Sequence, residues 1–161
     1  MSALGSVASW IVLGLAAGAR TTAAPSLLQV ALAARPLPPG AELASVASSA
    51  AFRVVLGAAT AIELVIDKLP ITGDRTAPIG VVVRAASGAL CSAAHADAYR
   101  RPKPIAALVG GASAVASTYG LFQLRRALRR RAPAFVLGLA EDAIVFGGGA
   151  LALRLTRSRE A

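Results

Sequence analysis

Apolar stretches of about 20 residues, repeated along the chain and parted by short loops rich in Pro and Arg, constrain this sequence more than any other feature. A hydrocarbon core about 30 Å thick demands such a length of a helix that rises about 1.5 Å per residue. A hydrophobic fraction of 56% against 16% charged residues agrees with that reading, as does a mean hydropathy of +0.65. A soluble globular domain does not have this balance, and 161 residues leave room for one domain, residues 1–161. The expected architecture is all-α: a polytopic transmembrane helical bundle of about five spans with a broken first helix. Its surroundings are the lipid bilayer of a cell membrane, crossed several times, which in a bacterium is the inner membrane.

Residues 4–34 are apolar for longer than one ordinary crossing needs, and "GARTTAAPS" (18–26) interrupts them with a charge, two Thr and a Pro. Pro25 removes a backbone donor and clashes with the preceding turn, so a kink or unwound stretch is expected between Arg20 and Pro25. Whether this segment crosses once or forms a broken or re-entrant pair stays open. It lacks the basic n-region of a secretory signal, and apolar sequence continues past any small-residue cleavage site. The second span runs from about Val46 to Asp67. The third follows "TGDRTAP" (72–78), with Thr76 as N-cap and Pro78 in the first turn, and reaches about Ala96. The fourth covers about Ile105 to Leu124, and the fifth runs from Pro133 to about Leu153. Glycines such as Gly110, Gly111, Gly120 and the pair in "GLAAG" (14–18) suit helices whose backbones approach closely. "VLGLAAGA" (12–19) and "VLGLAEDA" (136–143) agree at six of eight positions, an echo that either an internal repeat or low complexity produces.

The formal charge of +9 raises nucleic acid as a partner. The basic residues, however, gather at segment ends, as in "LRRALRRRAP" (124–133), without aromatic residues on which bases stack. Anchoring at anionic headgroups by Arg125, Arg126, Arg129, Arg130 and Arg131 is the expected role, with no nucleic acid. Five crossings place seven Lys and Arg on each face, so the positive-inside rule ties; the dense arginine loop favours the cytoplasm, together with the N-terminus. The single cysteine, Cys91, allows neither an intrachain disulfide nor a paired-Cys metal site and reads as a small core residue.

The acidic residues are few and placed unusually. Glu63 precedes Pro70 by seven residues and Arg84 follows Pro78 by six, so both lie about 10 Å inside the same face. A Glu63–Arg84 pair offsets the cost of an intramembrane charge, on the order of 2.5–3.5 kcal/mol on insertion scales. Arg53, Gly57, Thr60, Glu63 and Asp67 follow a three-or-four spacing, a polar stripe that should face protein or water. Glu141 and Asp142, about 12 Å past Pro133, add a second acidic site at similar depth, and Arg20 at the break either joins this polar interior or reaches the opposite surface, which the sequence leaves open. Neighbouring carboxylates raise one another's pKa in low dielectric, which suits proton exchange or cation binding.

Three blocks, "GARTTAAPSLLQVALAAR", "IELVIDKLPITGDRTAPIGVVVRAASGAL" and "APAFVLGLAEDAIVFGGGALAL", resemble the signature elements of the bacterial and plant membrane proteins grouped as domain-of-unknown-function family 4126. The matching positions are Gly18, Arg20 and Pro25, then Glu63, Asp67, Lys68, Pro70, Asp74, Arg84, Gly88, Ala89 and Leu90, then Glu141 with Asp142. Where that family often has Arg-Pro this chain has Arg84-Ala85, which removes the ground for a proline kink there. The resemblance implies membrane helices, adds Asp74 to the polar residues of interest, and implies no established activity.

No P-loop and no serine-hydrolase triad is readable, and His95 with Asp97 reads as a headgroup-level polar pair rather than a metal site. No cofactor is expected. Three functional classes remain. The first is a small ion or solute transporter or channel using Glu63, Asp67, Asp74, Arg84, Glu141, Asp142 and Arg20. The second is a structural or assembly protein whose charges are interhelical glue. The third is an intramembrane or lipid-handling enzyme that uses carboxylates with a divalent metal. So short a chain has little room to enclose a path alone, so a transporter is expected to form a homo-oligomer.

Overall fold

The computed structural model describes residues 3–33, 36–66, 77–128 and 143–158, and every regular element among them is helical. In chain order these are α1 (Ala3–Ala19), α2 (Ala23–Leu32), α3 (Glu42–Ser48), α4 (Ala50–Ile66), α5 (Pro78–Ala98), α6 (Lys103–Leu128), a π-helical turn (Ile144–Gly148) and α7 (Gly149–Ser158). Helices α5 and α6, of 21 and 26 residues, are long and apolar enough to cross a membrane. Helices α3 and α4 together make a third such segment, bent by 59°. The bend is at Ser49, whose backbone is extended at ψ 152° and whose hydroxyl accepts from the Phe52 amide at 3.1 Å to start α4.

Helix α5 starts where Pro78 enters the first turn, a position that needs no amide hydrogen. The N-cap is Ala77 rather than Thr76, with ψ 134°. The residue before a proline is pushed out of the helical region, so it becomes the boundary. No kink interrupts α5 at Arg84-Ala85, and α6 passes unbroken through Gly110 and Gly111. Between them Arg100 takes a left-handed conformation at φ 51°, and the Arg101 amide returns to the Ala96 carbonyl at 2.8 Å.

Helices α1, α5 and α6 form the centre of the molecule, held at close range by small residues. A Cβ added at Gly88 would lie 2.7 Å from the Gly110 carbonyl oxygen, and one at Gly110 would lie 2.6 Å from Ser92 Cβ. Gly14 and Gly18 meet α6 in the same way, with Ser113 Cβ and Ser117 Cβ each 2.6 Å from where their own Cβ would stand. "GLAAG" is thus a working contact surface. Hydroxyls reinforce it: Ser117 donates to the Leu15 carbonyl at 2.8 Å, Thr118 to Gly18 at 3.2 Å and Ser92 to Trp10 at 3.3 Å. Cys91 is buried in this core as a small apolar residue.

These contacts fix directions. Gly14 against Gly110 and Gly18 against Ala114 and Ser117 make α1 parallel to α6, so both start at the level of the α5–α6 turn. The N-terminus therefore lies at the end of the bundle opposite Arg125 and Arg126, contrary to the expectation that grouped it with the arginine loop. At the level of Ser117 and Thr118, about 15 Å short of the end of α6, α1 stops. Helix α2 then doubles back along α1 and α5: Leu27, Leu28 and Leu32 join Leu13, Ala16, Cys91, Ala94 and Ala98 in one core. Its Gln29 Nε2 donates to the Ala47 carbonyl of α3 at 3.2 Å. The first apolar segment is a helical hairpin rather than one continuous helix. The last described segment packs on this hairpin, with Leu153 buried in the core and Gly149 against Leu27.

Candidate functional site

A helix start leaves backbone amides without intrahelical partners, and deep in an apolar bundle each must be satisfied by something other than water. The break between α1 and α2 creates this need at Arg20, Thr21 and Thr22. The Arg20 amide still closes the last turn of α1 on the Ala16 carbonyl at 3.0 Å. The next two amides are taken by one side chain from α4: Thr21 N donates to Glu63 Oε1 at 3.1 Å and Thr22 N to Oε2 at 3.3 Å. The Thr22 hydroxyl donates to Oε2 at 2.5 Å, a short charge-assisted bond. Pro25, in the first turn of α2, has no amide hydrogen to satisfy. From α5, the Ser87 hydroxyl donates to the Thr21 carbonyl at 2.8 Å. One residue pair, Thr21-Thr22, therefore ties the hairpin to both α4 and α5.

The electrostatics favour this arrangement. The start of α2 carries the positive end of its dipole, and a carboxylate there is stabilised by about 0.3–1 kcal/mol or more when partly buried. Two arginines belong to the same region. Arg20 is in the break itself, and Arg84 is one turn before Ser87 on α5, on the face of that helix directed to the break. Both are half-buried. Glu63, Arg20 and Arg84 are thus brought to one level. Asp67, Asp74, Glu141 and Asp142, and with them Arg129, Arg130 and Arg131, lie outside the described residues. The polar stripe on α4 faces protein only at its Glu63 end. Arg53 is exposed and donates to the Ser48 carbonyl at 3.3 Å, and Gly57 has open space before it.

A second carboxylate does similar work at the other end of α5. Asp97, 8% exposed, accepts from the Leu43 and Ala44 amides at 2.9 and 3.4 Å and pairs with Lys103 Nζ at 2.9 Å. It caps α3, whose own N-cap position is Ala41 and supplies no side-chain acceptor. His95 lies in the last turn of α5 and is enclosed by protein. It is 2% exposed and stacks on Tyr99 with ring centroids 4.6 Å apart. Sequence reasoning missed the Asp97 cap, although a helix beginning "GAEL" with no Ser, Thr, Asp or Asn at its N-cap is a signal that the cap comes from elsewhere.

Ser87 and Ser92 spend their hydroxyls on carbonyls of neighbouring segments, which is structural chemistry. Among the described residues no three of His, Cys, Asp and Glu converge as metal ligands would. No family model, no curated protein and no solved structure matches the chain, and the resemblance to family 4126 rests on its three sequence blocks.

Proposed function

We propose that the chain is a small ion or solute transporter of a cell membrane, working as a homo-oligomer, with its site at the α1–α2 break. The observation that carries this reading is the Glu63 carboxylate seated on the freed amides of a helix interrupted inside the bundle. Interrupted helices put backbone dipoles and ionisable side chains at the depth where a passing ion or solute must lose its water. The proposed site also takes in, on the sequence alone, Asp67, Asp74, Glu141 and Asp142, with Arg20 and Arg84 as balancing charges. The directions of α1, α5 and α6 favour four crossings and a re-entrant hairpin rather than five crossings, with both termini on the side of the α5–α6 turn. Arg125 and Arg126, in the last turn of α6 rather than in a loop, bind anionic headgroups on the other side, and Arg129, Arg130 and Arg131 follow them in the sequence. The resemblance to family 4126 implies a helical membrane architecture as well.

A structural or assembly role is the second reading. It is favoured by the complete use of both Glu63 oxygens as interhelical ties. A metal-dependent enzyme would need carboxylates from outside the described residues. Purified protein in liposomes with a trapped pH-sensitive dye separates the first two readings, comparing wild type, Glu63→Gln and Glu141→Gln under imposed ion gradients. A transporter shows flux that falls at least tenfold in folded variants. Absent flux in the wild type, with variants that lose thermal stability, establishes the structural role.

A further inference from the structure

Helix α4 is attached to the bundle in an unusual way. Of its residues 50–63 only Leu56 is buried, while Val54, Val55 and Ile62 are 74%, 65% and 58% exposed. At one end it hangs from Ser49, an extended residue at a 59° bend. Near the other end Glu63 makes its three hydrogen bonds to Thr21 and Thr22. From this geometry we infer that α4 is a hinged arm, pivoting at Ser49 and latched by Glu63, and that releasing the latch uncovers the α1–α2 break.

The physical case rests on what holds the arm at each position. The apolar face of α4 gives it little to lose by moving in lipid, because lipid tails solvate Val and Ile as well as a protein core does. Its polar end is different. The carboxylate satisfies two amides and a hydroxyl that lipid cannot satisfy, so among the described residues the polar contacts that hold the closed position to α1 and α2 are those of Glu63. Those contacts depend on the charge of Glu63, since a neutral side chain presents fewer and weaker acceptors. The charged groups on the described elements that meet there are Arg20 at the break and Arg84 on α5; Asp67, four residues on in the sequence, lies outside the described residues. Neutralising Glu63 by the cation it attracts would therefore loosen the arm and expose the Thr21 and Thr22 amides together. The distance from Ser49 to Glu63 along the helix is about 21 Å, so a rotation of only about 10° moves the latch about 4 Å, out of hydrogen-bond range.

This inference deepens the transport reading by naming its gate, but its test reads position and not flux, so the two fail separately. In a Cys91→Ser background in lipid nanodiscs, spin labels at Ala61 on α4 and Ala116 on α6 are measured by pulsed dipolar spectroscopy. A second pair at Ala86 and Ala116 reports the α5–α6 frame. All three labelled positions are exposed. With Glu63 intact the Ala61–Ala116 pair gives one narrow distance. Glu63→Gln shifts or splits it by about 4 Å or more while the Ala86–Ala116 distance stays fixed. Thr22→Val, which keeps the charge and removes the shortest bond, moves it the same way by less and serves if Glu63→Gln does not fold. An Ala61–Ala116 distance unchanged in every folded variant overturns the latch. Equal broadening of both pairs also overturns it, because the whole bundle would then have loosened.

Discussion

Glu63 and Asp97 share a rule at the scale of single residues: each is a carboxylate on one helix that caps the start of another. Neither helix start caps itself. Thr22 makes no capping bond within α2, and Ala41 has no acceptor to offer α3. The rule explains why so apolar a chain keeps these acids. It also separates their variants. Asp97→Ala leaves the Leu43 and Ala44 amides without their acceptor and Lys103 without its partner, and is expected to cost about 1–3 kcal/mol. Asp97→Asn keeps one acceptor oxygen and is expected to recover about half. Thermal melts in detergent read the order, and equal melting temperatures for wild type and Asp97→Ala would remove Asp97 from the stabilising contacts. Glu63 was legible in the sequence because an acid one stretch before a loop has a calculable depth. Its contacts with Thr21 and Thr22 were not, since pairing by depth considers side chains, whereas those partners are backbone amides that exist only once the helix breaks between Ala19 and Ala23. The Asp97 cap was not legible for a related reason: its partners are the backbone amides of α3, which only the fold lays over the end of α5.

Helices α5 and α6 follow from the sequence to within a few residues, because their apolar runs are long and their ends carry Pro78 and the "YRRPKP" turn. The break in the first segment was equally legible from Arg20 to Pro25. Its consequence was not, since whether a broken helix continues or doubles back depends on which surface packs better. The answer is in the small residues. Gly14 and Gly18 fit α1 against α6, and Leu27 and Leu28 then find their core by returning along α1. Glycines divide accordingly. Gly110→Ala puts a methyl within 2.6 Å of Ser92 Cβ and against the Gly88 backbone, neither free to retreat far. Such overpacking is expected to cost about 1–3 kcal/mol or more. Gly120→Ala and Gly57→Ala enter open space on helices and are expected to be neutral or stabilising by up to about 1 kcal/mol. A comparison of the three variants by melting in detergent checks the division. If Gly110→Ala melts with the wild type, the close α5–α6 approach is not what holds these helices together.

The whole molecule has a direction that composition leaves undetermined, because with five crossings assumed from the sequence the Lys and Arg residues count evenly on the two faces. Helix packing supplies what the charges do not. With α1 parallel to α6, the chain begins on the side where α5 turns into α6, and the hairpin returns to that side. In the proposed four-crossing topology, with α3–α4, α5, α6 and the last segment as crossings, both termini lie together, opposite Arg125 and Arg126. An odd number of crossings places them apart, so a two-point accessibility measurement decides between the topologies. In a Cys91→Ser background, single cysteines at Arg100 and Arg126 are challenged with a membrane-impermeant maleimide on sealed vesicles, alongside a protease-cleavable tag at each terminus. Arg100→Cys and both tags are expected to react from one side and Arg126→Cys from the other. A tag at the N-terminus cleaved only from the Arg126 side would mean that the first segment crosses the bilayer. The α1–α2 break would then be a kink within a span and no longer the tip of a re-entrant hairpin. Access to Thr21 and Thr22 would in that case come from both faces, and a gate built on α4 alone would not suffice to close the path.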